Sequence, residues 1–537
     1  MPRICVSYWV AIALGSIGLA AATAASEQDL SGDEPIVLTG GTVVDGSGAA
    51  PFAADVVIRG ERIAAIGPGL AASAPPGARI IDVRGLVVAP GFVEPHAHIT
   101  TIDQHPDATN YLRQGVTTIV ASLHSLDQPY PLGRFLDSLR VAPNTVWTAG
   151  HTWARKRIVG LADRDPTPAE MKRMEGLVRE AMDDGAIGFG TGLEYVPAVY
   201  AKPDEVVALA RAAVRPGAMY VTHLRDEGAR LLPALDEAIA VGRSTGLPVH
   251  VSHVKTTGRA NWGQSRAALE RIDAANASGV RTTFDVYAYT AYSTVSDVLF
   301  PAWALAGSVG DFRARVADPV VRARLKSEMT GIYADQTGGE LSSIQFRDGP
   351  PGFAGKTLAD YLRARGHPAT LDAAMEALID LQAKGGFLAV FHAMDEGDVE
   401  AFLRHPRSCV SADGDLVTFG EGVPHPRSYG GFPRVLSRYV RERRTLSLTE
   451  AIRKMTSQPA ADFGLVERGL VRAGYFADLV VLDPERVADR ATFAEPHQYP
   501  VGIPHVLVNG KFVIEAGEPT GRRPGRALRL GFDGRVH

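Results

Sequence analysis

Between residues 91 and 465, short apolar runs alternate with stretches of helical periodicity, and this alternation leaves few folds open. "GVTTIVAS", "GAIGFGTGLEY", "GAMYVTHLR", "PVHVSHVKT", "RTTFDVYAYT", "GFLAVFHAM" and "SCVSADGD" read as strands. "TPAEMKRMEGLVREAMDD", "KPDEVVALARAAVR", "LLPALDEAIAVGRSTG" and "NWGQSRAALERIDAANASG" place apolar residues at helical spacing. Strand–helix alternation argues for parallel βα units. With "VAPGFVEPHAHIT" as the first strand the count reaches eight, which predicts an α/β fold, a (β/α)8 TIM barrel over 91–465. Residues 295–385 separate the sixth and seventh of these strands by more than a βα unit needs. They hold helical pieces such as "GDFRARVADPVVRARLKSEMTG" and are expected to form a lid-like insertion at the barrel mouth.

The flanks are different. Residues 34–90 and 466–516 are rich in Val and Ile and punctuated by Gly and Pro, so they read as short strands. Two β-rich segments bracketing a barrel are expected to fold together as one split β-sandwich domain. Ahead of them, "MPRICVSYWVAIALGSIGLAAATAAS" has an early Arg3, an apolar stretch and the small-x-small run Ala22-Thr23-Ala24. Residues 1–25 therefore read as a cleaved signal peptide. The mature chain is expected to be periplasmic or secreted, without stable membrane insertion. Cys5 leaves with that segment, and Cys409 remains as a lone thiol, so no internal disulfide is available. A net charge of −4 without a Lys/Arg run gives no footprint for nucleic acid.

The chemistry gathers at strand ends. In "GFVEPHAHIT", His96 and His98 are two apart, and alternate residues of a strand share a face. His223 ends "AMYVTHLR", His253 ends "PVHVSHVK" and Asp413 ends "SCVSADG". Barrel enzymes place their reacting groups at the C-terminal ends of their strands. Four imidazoles and one carboxylate there suit zinc or a similar divalent ion. Such an ion acidifies water and polarises a carbonyl. Asp413 is the candidate general acid/base. His250 is out of phase with His253 and reads as structural.

These residues resemble the metal-dependent amidohydrolase superfamily, and within it the D-aminoacylase (N-acyl-D-amino-acid deacylase) family. The resemblance rests on "PGFVEPHAH", "GFGTGLEYVPAVYA", "THLRDEG", "SHVKTTGRANWG", "YAYTAYST", "SADG" and "HPRSYGGFPRVLSRYVRE", and runs from about residue 35 to 520. It implies zinc, one or two ions, and hydrolysis of an N-acyl-D-amino acid to a carboxylate and the free amino acid. It also implies that Lys255, Tyr287, Ser293 and Arg427 bind the small-molecule substrate at its carboxylate. Arginine suits that role because its planar fork makes two parallel hydrogen bonds. Other readings are an amidohydrolase acting on a dipeptide or cyclic amide, and a catalytically silent barrel that binds acyl-amino acids.

One departure stands out. Family members carry a metal-ligating Cys after the second strand, where "GVTTIVASLHS" places His124. Cys409 cannot substitute: it precedes Asp413 by four residues on one strand, roughly 13 Å deeper at ~3.3 Å per residue. A carboxylated Lys is the bridging ligand in other members of the superfamily. The lysines between His98 and His223 are Lys156, Lys172 and Lys202, and none ends an apolar strand. His124 and Glu194, the latter in "TGLEYVP", are the candidate replacements. An imidazole there favours one metal; a carboxylate allows a bridged pair.

Overall fold

The computed structural model describes residues 34–122 and 127–537. The expected signal segment, residues 1–25, and His124 lie outside the described residues. Among the described residues, no helix is long and apolar enough to cross a membrane.

The parallel strands form two arcs of one barrel. Phe92–Ala97, Val116–Ala121 and Asn144–Val146 pair in sequence. Gly188–Gly192, Met219–His223, Val249–Val251, Thr282–Val286 and Ser408–Val410 pair in sequence beyond them. Glu94 closes the ring from inside. Its carboxylate accepts from the backbone N–H of His96 at 3.0 Å and of Ala412 at 2.8 Å, which ties the first strand to the end of the last. Its full burial pushes its carboxyl well above the usual carboxylate range.

Two of the sequence assignments change. The run "GFLAVFHAM" is not a barrel strand. Leu388–His392 is the middle strand of a three-stranded antiparallel sheet with Ala291–Val295 and Ile344–Asp348. The third barrel strand is Asn144–Val146, which the sequence reading passed over. A buried apolar run looks the same whether its neighbours are parallel or antiparallel, and three residues are too few to show a period. The antiparallel sheet and the helices around it, such as Pro319–Gln336 and Leu371–Gln382, stand between the seventh and eighth barrel strands.

A nine-stranded sheet unites the flanks. Val87–Pro90 runs antiparallel to Leu479–Leu482, so the N-terminal and C-terminal segments share one ladder. Leu38, Val56, Leu479 and Leu507 form part of its own apolar core. The barrel has the larger core, in which Phe189, Tyr220 and Phe284 are fully buried.

Candidate metal centre

The sequence places the site residues where strands stop, and the backbone shows how each stop aims a side chain. His253 and Asp413 lie just past their strands with φ of 37° and 50°, in the left-handed region. A non-glycine residue there costs about 1–2 kcal/mol and persists only where its surroundings hold it. Asp285 supplies that hold for His253: its Oδ1 accepts the His253 N–H at 2.9 Å. Its Oδ2 is bonded to His250 Nε2 at 3.0 Å, and His250 Nδ1 meets Thr283 Oγ1 at 2.9 Å. His250 is thus a buried structural histidine.

The inward nitrogens converge. His96 Nε2 and His98 Nε2 lie 3.6 and 3.7 Å from Asp413 Oδ1. His223 Nδ1 lies 3.0 Å from His253 Nε2. Ligand atoms of His96, His253 and Asp413 all fall within 4.8 Å of one another. Tetrahedral bonds of ~2.1 Å put ligand atoms roughly 3.4 Å apart, so this donor set fits a zinc-sized ion. Asp413 Oδ1 is buried and accepts no hydrogen bond among the described residues, as an oxygen reserved for a cation would.

Burial tunes these groups for ligation. It holds the His96 ring well below the usual imidazole range and pushes His223 down to about 4. Both rings are therefore neutral near pH 7 and keep a lone pair to donate. Burial also raises the Asp413 carboxyl, and the Arg427 guanidinium beside it opposes that rise.

The outward nitrogens of His98, His223 and His253 each meet a carboxylate. His98 Nδ1 donates to Asp415 Oδ1 at 2.9 Å, and His223 Nε2 donates to Glu194 Oε2 at 2.8 Å. His253 Nδ1 faces Glu227 Oε1 at 3.2 Å, with Lys255 Nζ 2.7 Å away and bonded to Glu227 Oε2 at 2.5 Å. Such partners fix ring orientation and select which nitrogen carries the proton. Glu194 was a candidate metal ligand; in the structure it meets His223 on the nitrogen opposite to the one that faces His253. Gln336 donates to its other oxygen at 2.7 Å, and burial lifts its carboxyl to about 7. Lys156 is half-exposed and pairs with Asp127, and Lys202 is exposed and pairs with Asp165. Neither lysine is placed to bridge ions.

A cavity of about 230 Å3 opens over these residues. Lys255 and Ser293, two of the four expected substrate contacts, line it. Tyr287 and Arg427 do not. Tyr287 is buried with its hydroxyl toward Met394 Sδ, 3.7 Å away. Arg427 is 1% exposed and its Nη1 sits 2.8 Å from Asp413 Oδ2. It holds the carboxylate of the protein's own acid/base. Glu227, Asp415 and Arg347 went unread in the sequence. Glu227 lies four residues after His223 and Asp415 two after Asp413, so proximity to a ligand was their signal. Arg347 comes from the insertion, and nothing near it in the sequence points to the site.

A parallel barrel whose strand ends gather four imidazoles around a buried aspartate defines a metal-dependent hydrolase. The comparisons agree. An amidohydrolase family model matches residues 79–514. N-acyl-D-aspartate deacylase and D-aminoacylase of Alcaligenes xylosoxydans xylosoxydans are each 36% identical to this chain. The matches cover 94% and 92% of this chain, and 96% and 97% of those proteins. The crystal structure of N-acyl-D-glutamate deacylase from Bordetella bronchiseptica, complexed with zinc and a phosphonate mimic of the tetrahedral intermediate, is 33% identical with a TM-score of 0.76. That match covers 92% of this chain and 99% of the crystallised one. The chain belongs to the amidohydrolase family, in its D-aminoacylase (N-acyl-D-amino-acid deacylase) branch.

Proposed function

We infer that this protein is a zinc-dependent deacylase that hydrolyses the amide of an N-acyl-D-amino acid to a carboxylate and a free D-amino acid. The observation that carries this reading is the convergence of His96, His98 and His253 on Asp413, with His223 beside His253, at a cavity. His96, His253 and Asp413, with His98 beside Asp413, would hold one ion, and His223, Glu227 and His253 form a second candidate cluster. Zinc bound there supplies Lewis acidity, which polarises a carbonyl and acidifies water.

Asp413 is the proton carrier. Its carboxylate takes the proton of the attacking water and returns it to the departing amine nitrogen. Arg427 keeps that carboxylate charged and oriented: the pair is buried and its partners are fixed, so little reorganisation accompanies the transfer. Lys255 and Ser293 line the space the substrate fills, and the antiparallel sheet of the insertion also contributes Val295, Arg347 and Leu388 to its lining.

The N-terminal apolar segment and its small-residue end support a secreted or periplasmic location. The decisive test of function is zinc-loaded enzyme assayed on N-acetyl-D-amino acids, N-acetyl-L-amino acids and dipeptides. Hydrolysis of the D series is expected; activity confined to the other two would overturn the reading.

A further inference from the structure

Two cations line the cavity, Lys255 and Arg347. Lys255 lies 5.7 Å from the centre of the Tyr287 ring, and Arg427, buried behind the lining, packs over the same ring at 4.9 Å. Lys255 adjoins His253, and Arg427 adjoins Asp413. Arg347 stands apart, on the strand Ile344–Asp348 of the insertion. Its Nη1 donates to Ser293 Oγ at 2.8 Å and its Nη2 to Asp415 Oδ2 at 2.6 Å. Ser293 in turn donates its only hydroxyl proton to the Ala389 carbonyl at 3.0 Å. The hydroxyl therefore has no proton left for a ligand, and the donor on this wall is the guanidinium. A guanidinium has five N–H donors, and these two bonds use two of them. Leu388, Val295 and Thr294 complete the wall around it.

A substrate with one carboxylate needs one cationic anchor, and Lys255 supplies it. Resting on the deacylase reading, we propose that Arg347 recognises a second carboxylate, so that the enzyme prefers N-acyl-D-amino acids with acidic side chains. Leu388 and Val295 would pack against the methylenes of such a side chain while the guanidinium meets its end. Overall similarity does not select among side chains, because the aspartate deacylase and the D-aminoacylase are equally identical to this chain. The wall that carries Arg347 does.

The test is a specificity ratio. The kcat/KM for N-acetyl-D-glutamate divided by that for N-acetyl-D-leucine is measured for wild type, Arg347→Met and Arg347→Lys, all zinc-loaded. Any effect that passes through Asp415 to His98 slows both substrates and cancels in the ratio. Wild type is expected to favour glutamate. Arg347→Met should lower the ratio about 100-fold, mainly through the KM for glutamate, as loss of a charge-assisted fork predicts. Arg347→Lys should recover part of it. A ratio unchanged in an active Arg347→Met enzyme, or a wild type that favours leucine, overturns the proposal and leaves the deacylase reading standing. A wild type that cleaves neither substrate overturns both.

Discussion

Arg427 Nη1 lies 2.8 Å from Asp413 Oδ2, and both side chains are buried. The arginine that the family resemblance assigns to the substrate pairs with the acid/base. Removing it leaves a buried carboxylate without its counter-charge. Arg427→Met is therefore expected to cost about 3 kcal/mol of stability and to slow kcat about 100-fold, since an unpaired buried charge is strongly destabilising. Urea unfolding and steady-state kinetics on the same preparations check this. A variant as stable and as fast as wild type would show that the pair does not matter.

Asp413→Asn keeps the shape and removes the proton acceptor. Proton transfer by a placed side chain is worth ~100- to 10,000-fold in rate. Loss of that order, with a fold unchanged by circular dichroism, is the expected outcome. Normal turnover would assign the acid/base elsewhere.

Metal removal should abolish activity, and zinc should restore it. Glu227→Gln and Glu194→Gln replace carboxylates that meet the outward nitrogens of His253 and His223. Loss of such partners lowers metal affinity about 10- to 100-fold. Competition with a coloured chelator measures it directly, independently of turnover. Unchanged affinity in both variants would mean that the two carboxylates do not position the rings.

His124 lies outside the described residues, and the cluster of His223, Glu227 and His253 has three donors where a tetrahedral ion takes four. We expect His124→Ala to bind fewer zinc ions per chain than wild type, by metal counting on purified protein. An unchanged count rejects a ligand role for His124.

Lys454 gives a pH signature of its own. Burial pulls its ammonium down to about 8, while in the unfolded chain it titrates near 10.5. Between those values the unfolded chain binds more protons, so stability rises with pH from 8 to 10.5. Below 8 the lysine is charged in both states and the cost of burying it is complete. The stability of wild type relative to Lys454→Met should rise across that window by up to about 3 kcal/mol. A pH-independent difference would place the ammonium in water.

Much of the site could be read before the fold. His96, His98, His223, His253 and Asp413 stood out because buried runs end on them, and a barrel gathers strand ends at one face. His250 was correctly separated from His253 by phase alone. Reading "GFLAVFHAM" as a barrel strand failed for the opposite reason: its apolar content is real, but its partners are Ala291–Val295 and Ile344–Asp348. The resemblance marked Arg427 as a carboxylate-binding residue, while its pairing with Asp413 emerged only from the fold.

By itself the chain's order of residues determined the barrel, the split β-rich flanks and the five residues at strand ends, since these follow from local periodicity and from where each run stops. Tertiary structure alone decided the pairings: Glu194 with His223, Asp415 with His98, Arg427 with Asp413, and Arg347 on the cavity wall. A charged side chain goes to whichever partner the fold brings within hydrogen-bonding distance. For residues 68 apart in sequence, such as Arg347 and Asp415, no local pattern records that distance.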